Sequence, residues 1–240
     1  MTSRRRYLGD AAADVIEPLS ALAETSTTPA AYRDALQRLG DRLANRMSES
    51  VDLKGKVVLV VAGVEDVDSL GSGFIDVLVH AGADVRLTCL WMDRKTLTIP
   101  DREEVANIIQ EYMEPIPPHV DHFVVLKSIV SSSCTIRTSL LRMLDETDPE
   151  RIHVASPVML KGARKRLEAE FPMSVGDKFE YWILAVDAQA DENGNVIPGV
   201  GGSVYQRMGF ENQEDKNFYM PSLVEHRIMG RRAPTERPSL

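Results

Sequence analysis

The chain has 240 residues, 43% hydrophobic and 27% charged, enough for one large α/β domain with a sizeable core or two small ones. Its 28 basic and 36 acidic residues leave a net charge of −8, which argues against generic nucleic-acid binding, because that rests on neutralising phosphates. No apolar run approaches the roughly 20 residues that cross a bilayer, and the basic start Met1–Arg6 leads into no apolar segment, so no membrane partner is expected and the expected location is the cytoplasm.

Thr28-Pro29 starts a helix, with a capping hydroxyl followed by proline at the first helical position. Tyr32, Leu36, Leu39, Leu43 and Met47 then recur on one helical face. Gly55-Lys56 introduces a strand, Val57–Val61, whose unbroken apolar character suits cover on both faces. A polar turn over Glu65–Gly73 leads to a helix from Phe74 to about His80, and Ala83–Trp91 reads as a second strand. The spacing predicts a helix over Arg102–Tyr112, then strands at Phe123–Leu126, Arg151–Ser156 and Tyr181–Val186. Helices over Ile136–Glu146 and Lys161–Phe171 separate these strands. Strands alternating with helices imply a doubly wound, mostly parallel sheet, with a small β-hairpin or hood region at the late glycine-rich segment. Residues 1–27 form an arm, 28–210 the domain, and 211–240 a polar C-terminal extension whose tip is expected to be loosely ordered.

In such sheets ligands bind beyond the carboxyl ends of the strands. Three segments there can carry chemistry. Lys127–Thr135 places Ser131, Ser132, Ser133, Cys134 and Thr135 at a helix start, where unpaired N–H groups and hydroxyls can cradle phosphate; a serine-rich N-cap serves equally. The second, Asn193–Gly202, fixes an irregular backbone through Pro198 and its glycines, able to present bare N–H and C=O groups to a flat ligand or simply to form a hairpin turn. In Val64–Gly73 the acidic cluster could orient a metal-bound diphosphate, although loop carboxylates are more often solvated. Gly71 and Gly73 lack the third glycine of a dinucleotide fingerprint, and no organic cofactor is evident. Cys89 and Cys134 fit neither a metal site nor a cytosolic disulfide, and no protein-held metal is expected. His119 and His122, among prolines, read as surface loop.

The stretch Asp187–Gly201, Asp-Ala-Gln-Ala-Asp-Glu-Asn-Gly-Asn-Val-Ile-Pro-Gly-Val-Gly, resembles the uracil-binding segment of uracil phosphoribosyltransferases. The likeness extends from about Thr28 to Phe210 through Lys54-Gly-Lys56, Thr96-Leu97 with Pro100, and Ala155-Ser-Pro157 with Gly162. It implies the type I phosphoribosyltransferase fold and a pentosyl transfer at the glycosidic bond of a pyrimidine: uracil and phosphoribosyl diphosphate (PRPP) give UMP and diphosphate, with Mg²⁺. The partner is then a pyrimidine base or nucleotide, and a homodimer is usual. Val196, Ile197, Gly199, Gly201 and Gly202 would read the base, and Ser131–Thr135 would hold the 5′-phosphate. Lys127, Arg94, Asp187 and Arg207 would be auxiliary.

The departures fall on the PRPP side and put PRPP binding in question. Lys127 stands at the position of the family's ribose-binding acid, and Ser-Ser-Cys replaces its Thr-Gly-Gly tip. Val60-Val61-Ala62-Gly63 lacks the diphosphate arginine, and Trp91-Met92 replaces a Tyr-Arg pair. Gly201–Gln206 carries neither acid of the family's Gly-Asp-Ala-Gly-Asp-Arg. The alternatives are a non-catalytic pyrimidine-binding regulator and a different chemistry on the same scaffold. The catalytic residues are left unassigned.

Overall fold

A computed structural model describes residues 5–9, 13–96, 104–192 and 194–232; for residues 13, 94–96, 104, 105, 231 and 232 it describes the backbone only. The strands are β1 (Arg5–Tyr7), β2 (Val57–Gly63), β3 (Asp84–Thr96), β4 (Glu104–Met113), β5 (His119–Leu126), β6 (Ile129–Val130), β7 (Asp148–Leu160), β8 (Phe179–Asp187), β9 (Gln189–Ala190) and β10 (Val196–Ile197). The helices are α1 (Ala13–Ala23), α2 (Pro29–Ser48), α3 (Val64–Asp66), α4 (Ser72–His80), α5 (Cys134–Leu144), α6 (Ala163–Glu168), α7 (Met173–Gly176), α8 (Val204–Arg207), α9 (Gln213–Phe218) and α10 (Ser222–Arg232).

The main sheet runs β1-β8-β7-β5-β2-β3-β4, with β6 extending along β7. Its interior pairs, β8–β7, β7–β5, β5–β2 and β2–β3, are parallel, while β1 and β4 close the edges antiparallel. Alternation along β2 shows why its apolar run is unbroken. Val58, Val60 and Ala62 pack under α1, α2 and α4, whereas Leu59 and Val61 pack with α5 and α6 on the other face. β5 divides likewise, Val124 and Leu126 against Phe123 and Val125. The α/β fold with a mostly parallel sheet is therefore the one expected, and β9 pairs with β10 in the small hairpin.

Two expectations are corrected. The segment read as a helix over Arg102–Tyr112 is β4, paired with β3 from Thr88–Met113 to Thr96–Glu104. Its apolar residues Val105, Ile108, Ile109 and Tyr112 fit helical spacing, but the unpaired edge of β3 recruits them, and β-branched residues suit that use. His122 is no surface residue: it is buried in β5, next to His153 of β7. Within residues 1–27, β1 is an edge strand of the sheet and Val15, Leu19 and Leu22 of α1 are fully buried. The expected loose tip, residues 233–240, lies outside the described residues.

From β2 the chain steps first to β3 and then across to β5, so the strand order reverses between β2 and β5. A crevice opens beyond the carboxyl ends of those two strands. Out of β2 runs one helical segment, α3 and α4 joined by a π-helical turn at Val67–Gly71, which crosses α2 closely. A Cβ on Gly40 would stand 2.2 Å from the Leu70 carbonyl, and one on Gly73 2.3 Å from the Gln37 carbonyl. Gly73 thus serves helix contact. Gly40→Ala is expected to lower unfolding free energy by about 1–3 kcal/mol in urea titration through overpacking, whereas Gly176→Ala, where a Cβ meets nothing within 4 Å, should stay within about 0.5 kcal/mol.

In the core, Trp182 Nε1–H donates to His153 Nδ1 at 3.0 Å. His153 Nε2 therefore carries the proton and lies 3.0 Å from His122 Nδ1. Glu180, 3.3 Å from Nδ1, favours a charged ring, but burial first, then His122 and Arg151, push His153 down to about 3. Below the ordinary value of 6.5 the unfolded chain takes up a proton that the folded chain refuses, so stability falls as pH drops from 6.5 towards 3. Denaturation at pH 7.5, 6 and 5 should show this loss, with His153 contributing at most about 1.4 kcal/mol per pH unit. His153→Gln should flatten the slope; an unaltered slope would exclude this source.

Candidate functional site

Tyr32 and Arg33, in the first turn of α2, reach the crevice from above. The buried Tyr32 hydroxyl donates to the Val200 carbonyl at 2.9 Å, and Arg33 donates to the Met208 carbonyl at 2.6 Å. These bonds tie the glycine-rich segment to the crevice wall. Below it is a cavity of about 330 Å³ lined by Arg33, Glu65, Asp68, Ser69, Met208, Phe210 and Tyr219.

The floor of the crevice is charged. Glu65 Oε1 lies 3.9 Å from Lys127 Nζ and its Oε2 3.8 Å from Lys216 Nζ. Lys216 is buried and also donates to the Met92 carbonyl at 2.9 Å. Beside this trio Asp66 is fully buried, accepting the Ser128 amide at 3.1 Å, while its Oδ1 has no partner among the described residues. Burial pushes the Asp66 carboxyl up to about 6, Lys127 opposes the rise and Glu65 adds to it. The acidic residues of this segment are thus not solvated, as a loop reading would have them: the helical exit from β2 turns them inward.

The C-terminal extension roofs the crevice. Asp68 accepts the Tyr219 hydroxyl at 2.5 Å and the amides of Ser222 and Leu223 at 2.7 and 2.9 Å, capping the start of α10 from outside its own helix. Trp91 Nε1–H donates to the Tyr219 carbonyl at 2.9 Å, and Arg227 pairs with the buried Glu114 at 2.8 Å. Sequence reasoning missed Arg33, Asp68, Lys216 and Tyr219. Only the acidic cluster signalled the place.

Of the segments singled out from the sequence, Lys127–Thr135 touches the other two, Lys127 and Ser128 meeting Glu65 and Asp66 while Ile129 meets Gly199. A Cβ on Gly199 would stand 3.3 Å from Ile129 Cδ1, two residues before the serine run. The main chain here is largely occupied by the protein. Asp187 accepts the Gly199 amide at Oδ2 (2.8 Å) and two bonds from Arg5, at Oδ1 (2.9 Å) and Oδ2 (2.8 Å), while Arg5 also donates to the Gly199 carbonyl. Gly199 and Gly201 are required by close approach: side chains there would strike the Val196 and Leu22 carbonyls at 2.2 and 2.3 Å. Gly202, at φ 109°, faces open space. Val196 is buried and Ile197 exposed. Arg207 donates to the Thr25 and Glu24 carbonyls and lies over the Tyr32 ring, fastening the end of α1.

Ser131–Thr135 lead into α5, with Cys134 and Thr135 buried. Arg166 donates to the Ser131 carbonyl at 3.0 Å, and the Ser133 hydroxyl bonds to Glu170, which also pairs with Arg137 at 3.3 Å. A protein carboxylate therefore stands at this helix start, as Glu65 does in the crevice. Lys127 is bound to Glu65, and the Arg94 side chain lies outside the described residues, as do residues 97–100 and Asn193. For Mg²⁺ the carboxylates in reach are poorly suited: Glu65 is held by two lysines and Asp68 by α10, which leaves one open oxygen, the buried Asp66 Oδ1. No group of three metal-ligating side chains occurs among the described residues.

No family model matches the chain. In sequence it is 25% identical over 130 residues to a uracil phosphoribosyltransferase of Sulfolobus acidocaldarius, a match covering 53% of this chain and 57% of that protein. The match thus spans little more than half of that relative. In structure it is similar to the AQ2163 protein of Aquifex aeolicus, at TM-score 0.66 and 17% identity, covering 85% of this chain and 97% of that one. A hypoxanthine phosphoribosyltransferase of Trypanosoma cruzi, solved with the product IMP, aligns at TM-score 0.43 and 12% identity over 72% of this chain and 79% of its own. The chain thus shares its α/β fold with the AQ2163 protein and has a distant sequence likeness to a uracil phosphoribosyltransferase. Among the described residues no helix is long and apolar enough to cross a membrane.

The roof is expected to depend on Asp68. In Asp68→Ala, hydrogen exchange at the Ser222 and Leu223 amides should quicken by about tenfold or more as their acceptor is lost, with β2 and β5 unchanged. Unchanged exchange at those amides would remove Asp68 from this role.

Proposed function

We propose that this chain is a divergent pentosyltransferase of the uracil phosphoribosyltransferase type, binding a pyrimidine nucleotide in the crevice and acting at its glycosidic bond. One observation carries the reading: Lys127 and Lys216 converge on a single carboxylate at the carboxyl ends of β2 and β5, where a doubly wound sheet binds ligands. Together with Arg33 they offer an anionic group three cations at the place where the family's diphosphate arginines are absent. A transition state with positive charge growing on the sugar and negative charge on the departing group needs both signs of charge close together. The lysines supply one, and Glu65 with Asp66 the other. The serine run would hold phosphate, and Gly202, which faces open space at the end of the occupied Gly199–Gly201 backbone, would border the base. Because the carboxylates do not suit a protein-held Mg²⁺, any such ion would arrive with a diphosphate substrate, and no step is assigned to it.

A second reading, binding without turnover, is favoured by Glu65 and Glu170, two protein carboxylates standing where phosphate groups would sit. Calorimetry with uracil, UMP and PRPP, each with and without Mg²⁺, followed by an assay for UMP formation, separates the readings. The enzyme reading expects PRPP binding and turnover, with Lys216→Gln weakening UMP by about tenfold, the loss of one charge-assisted contact. UMP binding without turnover selects the second, and no heat with any pyrimidine ends both.

A further inference from the structure

A cavity of about 640 Å³ lies away from the crevice and shares no lining residue with it. It wraps the outer edge of β8 where β1 leaves the sheet: β1 pairs with β8 from Arg5–Asp187 to Tyr7–Ala185, and Leu8 adds one more bond to Leu184. Beyond that point the chain turns away at Gly9, and Tyr181–Ile183 line the open space. α2 spans both places, with Arg33 at the crevice and Arg42 and Arg46 at this cavity. Nine residues of helix put them about 13 Å apart along its axis.

The lining is cationic. Arg6, Arg42, Arg46, Lys161 and Arg164 face it against one acid, Glu49, in a chain whose net charge is −8. Their own partners satisfy them only in part. Arg46 donates to the Leu8 carbonyl at 2.9 Å, and Arg164 pairs with Glu168 at 2.9 Å while lying 4.6 Å above the Tyr181 ring. Arg42 Nε is buried and 3.3 Å from Asp14, yet lacks a hydrogen bond. The side chains of Arg6 and Lys161 make neither an ion pair nor a hydrogen bond among the described residues.

Like charges gathered in a concave site raise the local potential and concentrate anions. Guanidinium groups suit phosphate through paired N–H donors. The volume falls within the range of about 300–1,000 Å³ typical of small-molecule sites. A second copy of the chain meeting this face with its own would set five cations against five, which opposes a symmetric contact.

We propose that the β8-edge cavity is a second anion site, independent of the crevice, that takes a small molecule bearing several phosphate groups. The ligand is either a free polyphosphate or a nucleotide whose base lies along the open edge of β8 at Tyr181–Ile183.

The test is calorimetry of the full chain with inorganic triphosphate and with ATP, comparing wild type with the double variant Arg6→Gln, Lys161→Gln. Both residues are exposed, their side chains bond to nothing among the described residues, and matching thermal melts establish that the variant folds. Binding weakened at least about tenfold in the double variant is the expected result. ATP binding more tightly than triphosphate then identifies a nucleotide site, and equal affinity a polyphosphate site. No binding of either probe, or affinity unchanged in the double variant, overturns the proposal. The crevice is read separately through UMP and Lys216→Gln, so failure of one site leaves the other standing.

Discussion

Glu65 joins three distant parts of the chain. It stands at the exit of β2, Lys127 comes from the end of β5, and Lys216 from the C-terminal extension, and all three are largely withdrawn from water. Removing charged groups from water costs several kcal/mol each, and only mutual attraction with further hydrogen bonds offsets it. The trio persists because the surrounding structure holds it: Met92 gives Lys216 its carbonyl, and Asp68 anchors the roof that carries Lys216 inward. Without the roof, Glu65 would lose one cation. Without Glu65, two lysines would face each other across the crevice.

That constraint explains why residues 211–232 of the extension pack against the crevice. A helix start needs acceptors for its first amides, and α10 finds them in Asp68, on the π-helical turn that leaves β2. π-turns inside helices frequently mark functional places. Here the turn brings Asp66 against Ser128, and Asp68 and Ser69 to the cavity. Local helix irregularity, buried charge and roof therefore form one assembly.

How much of this was legible depends on the range of the forces involved. β2 and β5 were readable because a strand buried on both faces is apolar throughout, a local property. β4 was not, because Val105, Ile108, Ile109 and Tyr112 follow helical spacing, and only the open edge of β3, a distant partner, overrides it. The Asp187–Gly202 stretch gave the family likeness, yet its Asp187 and glycines turn out to serve the clamp on Arg5 and close backbone approach. Glu65 and Asp66 were visible as an acidic cluster but not as buried, since their partners lie far along the chain. Lys216 and Tyr219, in a polar tail, carried no local signal.

The central claim is that the two lysines at the foot of the crevice hold an anionic ligand for which Glu65 is the internal substitute. UMP affinity of Glu65→Gln, measured by calorimetry against wild type, tests it most directly, because the amide keeps the shape and removes the competing charge. Binding tightened by about fivefold or more is expected when one like charge leaves the site. Affinity that is unchanged or weaker would contradict it.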